Sequence, residues 1–302
     1  MLFSGPAPAA AGKVGGMEAL LLFLLALAAQ AFPVLGAGDA GDEGVEIAFA
    51  KGSDPRPAGL PPVYGASDPS RPLVVLDPGH GGRDPGATSP FGNRREKDVT
   101  LAIARAIRDA LAASGRVRVA MTREDDRYLV LRDRYEIARA MKAGLFISIH
   151  ADAAPANDGA RGATIYTLSE VASDREAALL AEQQNRSDRL AGAPADADAS
   201  VNRILIDLLQ RESMEVSADF AALLQREGAA YFPFRPEYHR FASLVVLKAP
   251  DVPSILFETG YLTNPADSAY IQSPEGQRRI AAGMKNAIEL HFARRLVRVA
   301  TR

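Results

Sequence analysis

A chain of 302 residues with 47% apolar content can build one substantial core with extensions, which excludes disorder throughout. A formal charge of −2 and a pI of about 6.1 provide no global attraction for nucleic acid or for an anionic membrane. With no cysteine, disulfides, thiolate nucleophiles and Cys-based zinc sites are all excluded, leaving carboxylates and four histidines, His80, His150, His239 and His291, as the strong metal ligands.

In chain order, the first feature is the apolar run Ala19 to Ala29 (ALLLFLLALAA), too short to span a bilayer and of the length of a secretory h-region. Residues 1–37 therefore read as a leader with a signal peptide, processed near the small residues Gly36 and Ala37, with no stable membrane span after cleavage. Lys13 is the one basic residue ahead of the run and Glu18 sits at its edge, so an uncleaved anchor and a buried helix are the alternatives. Residues 38–72, rich in Gly, Pro, Asp and Ala and without a period, read as a flexible tether.

The folded unit is expected over 73–296, with 297–302 as a tail. Leu73 to Leu76 is a short apolar run bounded by turn residues, the mark of a strand buried on both faces. Helical spacing follows at Val99, Ile103, Ala106, Ile107 and Leu111, with Gly115 as the stop. Then come a strand at Val117 to Thr122, a helix near Leu129 to Lys142 and a strand at Leu145 to Ile149. Later strands are expected at Ala163 to Leu168, Leu244 to Lys248 and Ser254 to Glu258, and a last helix from Glu275 to about Leu296. This alternation predicts an α/β fold: a single mostly parallel twisted sheet with helices on both faces and functional groups at the strand ends. Between the strands at 163–168 and 244–248 lies an inserted helical segment. Ser173 and Glu176 form a capping-box start for a helix to about Leu190. Gly192 to Ala199 reads as a linker, and a second amphipathic helix carries Val201, Ile204, Leu205, Leu208 and Leu209, continuing with a break towards Gln225.

Four segments carry chemistry. In VVLDPGHGGRDPGA, His80 lies between glycines on a loop just after a buried strand, open to a ligand or simply part of an Asp-Pro-Gly turn. In FISIHAD, His150 ends a second apolar strand, and two strand-end histidines converge on one sheet edge. Glu96, in NRREKDVTL, starts the first helix sixteen residues after His80 and can turn back to the strand ends. His₂Glu is a standard hydrolytic zinc set, for whose carboxylate place Glu96 is one candidate and Asp98 its local competitor, with helix N-terminal charge as the alternative role. In SILFETGYLTN, Glu258 ends a third apolar strand, where a carboxylate beside a metal can move a proton from water to a leaving amine. A salt bridge to an arginine such as Arg123 or Arg132 is its structural alternative. His291 reads as a helix residue, packed or exposed. His239 sits in an expected Tyr/Phe/Pro-rich loop, offering glycan or peptide contact or else a packed aromatic cluster.

Taken together, these segments resemble, over roughly residues 73–294 and in the same order, the zinc-dependent N-acetylmuramoyl-L-alanine amidases of the amidase-three family. The resemblance implies one Zn²⁺ per chain on His80, Glu96 and His150, with Glu258 as the catalytic glutamate. It implies hydrolysis of the amide between N-acetylmuramic acid and L-alanine in peptidoglycan, in the periplasm. The segment 169–199 resembles the regulatory insert of division-associated amidases, Ala177 to Asp188 (AALLAEQQNRSD) matching its pattern. Some relatives cap the zinc with a glutamate just before the Asn; this chain has Gln184 before Asn185, which leaves Glu182 or Glu176 for that place. No further wall-binding module is read in the chain, so the resemblance implies recruitment and release by a LytM-type activator. The rivals are a catalytically silent peptidoglycan-binding or division scaffold and a zinc peptidase cutting within the stem peptide.

Overall fold

A computed structural model describes residues 59–154, 159–190 and 203–300. All of these fall in the second of the two units into which the chain divides, residues 52–302. Seven strands form one sheet in the order β1-β3-β2-β4-β7-β5-β6. They are β1 (Tyr64–Gly65), β2 (Leu73–Pro78), β3 (Arg118–Met121), β4 (Leu145–Asp152), β5 (Ala163–Leu168), β6 (Phe234–Ala242) and β7 (Ser254–Tyr261). The pairs β2/β3, β2/β4, β4/β7 and β5/β6 are parallel, whereas β1/β3 and β5/β7 are antiparallel.

Continuous apolar runs form the central strands because both faces are covered. On one face Val74, Leu76, Ile147 and Phe257 pack against helices α1 (Glu96–Ser114), α5 (Arg203–Gly228) and α7 (Pro274–Ala300). On the other, Leu73, Val75, Phe146 and Leu256 pack against α2 (Leu131–Ala140) and α3 (Arg175–Asn185). Short helices α4 (Ser187–Leu190) and α6 (Pro265–Gln272) complete the set. Among the described residues, no helix is long and apolar enough to cross a membrane.

Several expectations are corrected. The stretch read as tether contains β1: Tyr64 pairs with Val119, its hydroxyl donates to Glu124 at 2.9 Å, and Arg108 lies 4.9 Å over its ring. A two-residue edge strand has no period to betray it. The apolar run Leu244 to Lys248 is a 3₁₀ turn at Val245–Leu247, and the strand lies earlier, where the aromatic loop was expected. FRPEYHRFA mixes charged and aromatic residues because β6 is an edge strand, half exposed. Asp174, not Ser173, caps the insert's first helix, accepting from the Ala177 N–H at 2.9 Å. The long helix α5 runs to Gly228 without a break, and Leu208 of its expected apolar stripe is exposed. Its core contacts come from Phe220, Ala221 and Leu224. The last helix continues through residues 297–300 of the expected tail. The leader at 1–37, residues 38–58 of the tether and the linker at 192–199 lie outside the described residues.

Candidate metal centre

Strands β2, β4 and β7 run parallel as neighbours, so the residues following them meet at one sheet edge. His80 follows β2, His150 lies near the end of β4, and Glu258 pairs in register with His150 from β7. The loop after His80 folds back on itself and delivers the start of α1. The Glu96 N–H donates to Ala87 O at 2.7 Å, and the Ala87 N–H donates to Glu96 Oε2 at 2.8 Å. Two glycines make this approach possible. A Cβ on Gly79 would land on the His150 ring, and one on Gly86 would lie 2.6 Å from Glu96 Oε2 and 2.7 Å from His80 Cδ2.

The outcome is a group of three buried side chains, His80, Glu96 and His150, whose ligand atoms lie within 4.8 Å of one another. Glu96 Oε1 is 3.0 Å from His80 Nε2 and 3.1 Å from His150 Nδ1, and the imidazoles meet edge to face with centroids 4.9 Å apart. Asp84 Oδ2 accepts from His80 Nδ1 at 2.8 Å, which turns the Nε2 lone pair towards the group. This carboxylate escaped the sequence reading. A polar residue four positions after a ligand-type histidine is the signal that could have found it.

The electrostatics couple the three groups to one another. Burial opposes charge on His80, but Glu96 and then Asp84 outweigh it and push its pKa up to about 9. Burial lowers that of His150 against the pull of Glu96. Burial would raise the pKa of Glu96, yet His80 and His150 hold it well below the usual carboxylate range. Two nitrogens and a carboxylate, with no sulfur, match a hydrolytic zinc site, and buried His80 Nε2 has no hydrogen-bond partner. The residues fit a metal ion. Asp98, the competitor for the carboxylate place, is exposed.

Glu258 is 1% exposed, and neither of its carboxylate oxygens has a hydrogen-bond partner. Burial, then the nearby charges of Asp152 and Glu96, push its pKa well up. Asp152 itself is pushed up to about 7, chiefly by burial. Arg123, a possible structural partner for Glu258, instead donates to the carbonyls of Pro78, Gly79, Lys97 and Asp125. His239 and His291 stand apart from the group. His239, on β6, has its Nε2 2.9 Å from Thr167 Oγ1 on β5, and His291 is buried edge-on against Phe220 and Phe292.

The insert lies against β6 and β7. Glu176 is 2.5 Å from Arg235 NH1 and 3.0 Å from Arg240 NH1, and it accepts from the Tyr261 hydroxyl at 3.1 Å. Glu182 is exposed and pairs with Arg186. Neither glutamate, offered from sequence as a cap, joins the three-residue group. Gln184 closes the buried row Ala177, Leu180 and Ala181. Asn185 bonds the backbone of Ser243 and Val245, and Asp188 Oδ1 accepts from the Tyr128 hydroxyl at 2.8 Å and the Leu131 N–H at 2.9 Å.

Residues 74–290 match the N-acetylmuramoyl-L-alanine amidase family. The chain is 38% identical over 223 residues to the amidase AmiC of Neisseria meningitidis serogroup B, covering 74% of this chain and 53% of that protein. It is 37% identical over 222 residues to AmiA of Escherichia coli K12, covering 73% and 76%. Thus the match spans only about half the length of the meningococcal relative. Among solved structures, the amidase AmiC2 of Nostoc punctiforme superposes with a TM-score of 0.52 at 26% identity, covering 74% of this chain and 97% of that one. With its sheet, its strand-end group and these likenesses in agreement, the chain belongs to the N-acetylmuramoyl-L-alanine amidase family.

Proposed function

We propose that this protein is a zinc-dependent amidase that cleaves between N-acetylmuramic acid and L-alanine in peptidoglycan. The observation that carries the reading is the buried His80, Glu96 and His150 group with the unpartnered carboxylate of Glu258 in register beside it. His80, Glu96 and His150 would hold the ion, which supplies Lewis acidity to the scissile amide. Asp84 keeps His80 in the tautomer that leaves Nε2 free. Glu258 takes a proton from the attacking water and returns it to the leaving amine, so the amide C–N bond breaks as the C–O bond forms. Burial, with the nearby charges of Asp152 and Glu96, is what raises its basicity.

Export by the N-terminal signal places this activity in the periplasm, in cell-wall remodelling and daughter-cell separation. The segment 169–199 regulates it. Support comes from the 7% or lower exposure of all four site residues and from the insert's ties to Tyr261, three residues beyond Glu258. A LytM-type activator would lift the segment; no side chain of the insert needs to bind the ion for this. Dye release from purified peptidoglycan, with muropeptide products identified by mass spectrometry, tests the whole reading. Cleavage within the stem peptide would replace it by a zinc peptidase, and zinc-independent binding without cleavage by a scaffold. Deleting 169–199 is expected to raise basal release; unchanged release would remove the regulatory part alone.

A further inference from the structure

The loop that carries His80 has an uncommon backbone. His80 itself sits at φ +60°, in the left-handed region that residues with side chains rarely adopt. Three consecutive carbonyls, those of Pro78, Gly79 and His80, are each taken by a buried guanidinium. Arg134 donates to Pro78 O at 3.0 Å and to His80 O at 2.9 Å. Arg123 donates to Pro78 O at 2.9 Å and to Gly79 O at 2.8 Å. Both side chains are within 2% of full burial.

The two arginines are themselves fixed. Asp77 Oδ1 accepts from Arg134 at 3.0 Å and from Thr122 at 2.6 Å, and Asp77 Oδ2 accepts from Ser148 at 2.7 Å. Strands β2 and β4 and the residue that follows β3 thereby grip a side chain of α2. Arg123 is satisfied by carbonyls, including Lys97 O at 2.9 Å in the first turn of α1. It thus ties the loop of one proposed ligand to the helix of another, since Lys97 follows Glu96. Burial and then the charge of Arg134 pull its pKa down to about 10, so it stays charged at neutral pH.

Two buried cations side by side are costly, and an apolar pair would fill the volume at less cost. A planar fork with several fixed donors is what three adjacent carbonyls require, and an ammonium cannot supply it. We propose that Arg123 and Arg134 are positioning residues that hold the Pro78 to His80 backbone in its left-handed turn and so set the affinity of the centre for zinc. Without them the turn relaxes towards the ordinary backbone region and the His80 ring swings off the line to Glu96 and His150.

This inference rests on the metal reading, and the test separates the two. Zinc affinity is measured by competition with a chromophoric chelator on the parent, Arg134→Lys and Ser148→Ala, alongside the Co²⁺ absorption spectrum and the melting of the zinc-free proteins. Arg134→Lys is expected to weaken zinc about 10- to 100-fold and to alter the Co²⁺ spectrum. Ser148→Ala removes one Asp77 hydrogen bond and no charge, and is expected to weaken zinc about two- to tenfold; it decides the matter if the lysine variant does not fold. A lower melting temperature with parental zinc affinity would show a merely structural role and overturn the proposal. A parent that binds no zinc would instead overturn the metal reading itself.

Discussion

The turn that carries His80 and the segment over residues 169–190 are attached to the same sheet by opposite means. Around the turn, Asp77, Arg123, Arg134 and Ser148 are all 2% exposed or less, and their polar groups are used up on one another and on backbone carbonyls. The insert contributes one short apolar row, Ala177, Leu180 and Ala181, and fastens the rest through half-exposed side chains such as Glu176. Little apolar burial and solvent-reachable polar ties are the properties of segments that open locally below the global unfolding free energy. A tightly held turn and a more lightly fastened segment thus coexist because one is fixed by buried networks and the other by surface ones.

The contrast can be broken hardest at Glu258. Glu258→Gln is expected to cut peptidoglycan hydrolysis by about 10²- to 10⁴-fold in a dye-release assay. It is also expected to stabilise the zinc-free protein. A carboxylate whose folded pKa is raised contributes stability that is present below its ordinary value of 4.5 and lost as pH rises, so the wild type carries a penalty at neutral pH. Scanning calorimetry should show the variant melting about 2 °C or more higher at pH 8, with the gap closing below about pH 4. An equal melting temperature at pH 8 would mean the carboxylate is satisfied. Next in size, Asp84→Asn should weaken zinc by about 10- to 100-fold while leaving the fold intact, as read by chelator competition.

The smallest effects belong to the insert. Asp188→Asn or Glu176→Gln should speed amide exchange over 175–190 by a few fold, equivalent to about 0.5–1 kcal/mol for half-exposed pairs, without changing exchange in β2 or β4. Glu176 also gives a pH signature. Burial opposes its charge, but Arg235 and Arg240 hold its pKa down to about 2, so its tie is intact above pH 4.5 and fades as pH falls towards 2. Exchange in β2 accelerating together with the insert would mean the two regions are one cooperative unit.

Which features the sequence disclosed follows the same division. The central strands were readable because burial on both faces leaves uninterrupted apolar runs, and His80, Glu96, His150 and Glu258 could be singled out because each stands at the end of a run or the start of a helix. Choosing Glu96 over Asp98 needed the resemblance; the fold buries Glu96 and leaves Asp98 exposed. Edge structure was illegible for a physical reason. Strand β6 alternates imperfectly because only one of its edges is paired, and the run at Leu244 to Leu247 is apolar because it packs as a turn against α2, which composition alone cannot distinguish from a strand. The arginines behind the His80 turn read as surface charge, since nothing local announces that a guanidinium will be paired with carbonyls far along the chain.

The in-register pairing of His150 with Glu258 has one more consequence. Neighbouring strands lie about 4.8 Å apart whatever side chains they carry. The spacing between a proposed ligand and the proton carrier is therefore inherited from the ladder and not from any loop. Lengthening helices or exchanging inserts leaves it unaltered. A slip of one residue between β4 and β7 would instead turn the two groups to opposite faces. Selection on this distance is selection on strand register, which makes the apolar residues of β4 and β7 its guardians as much as the polar pair itself.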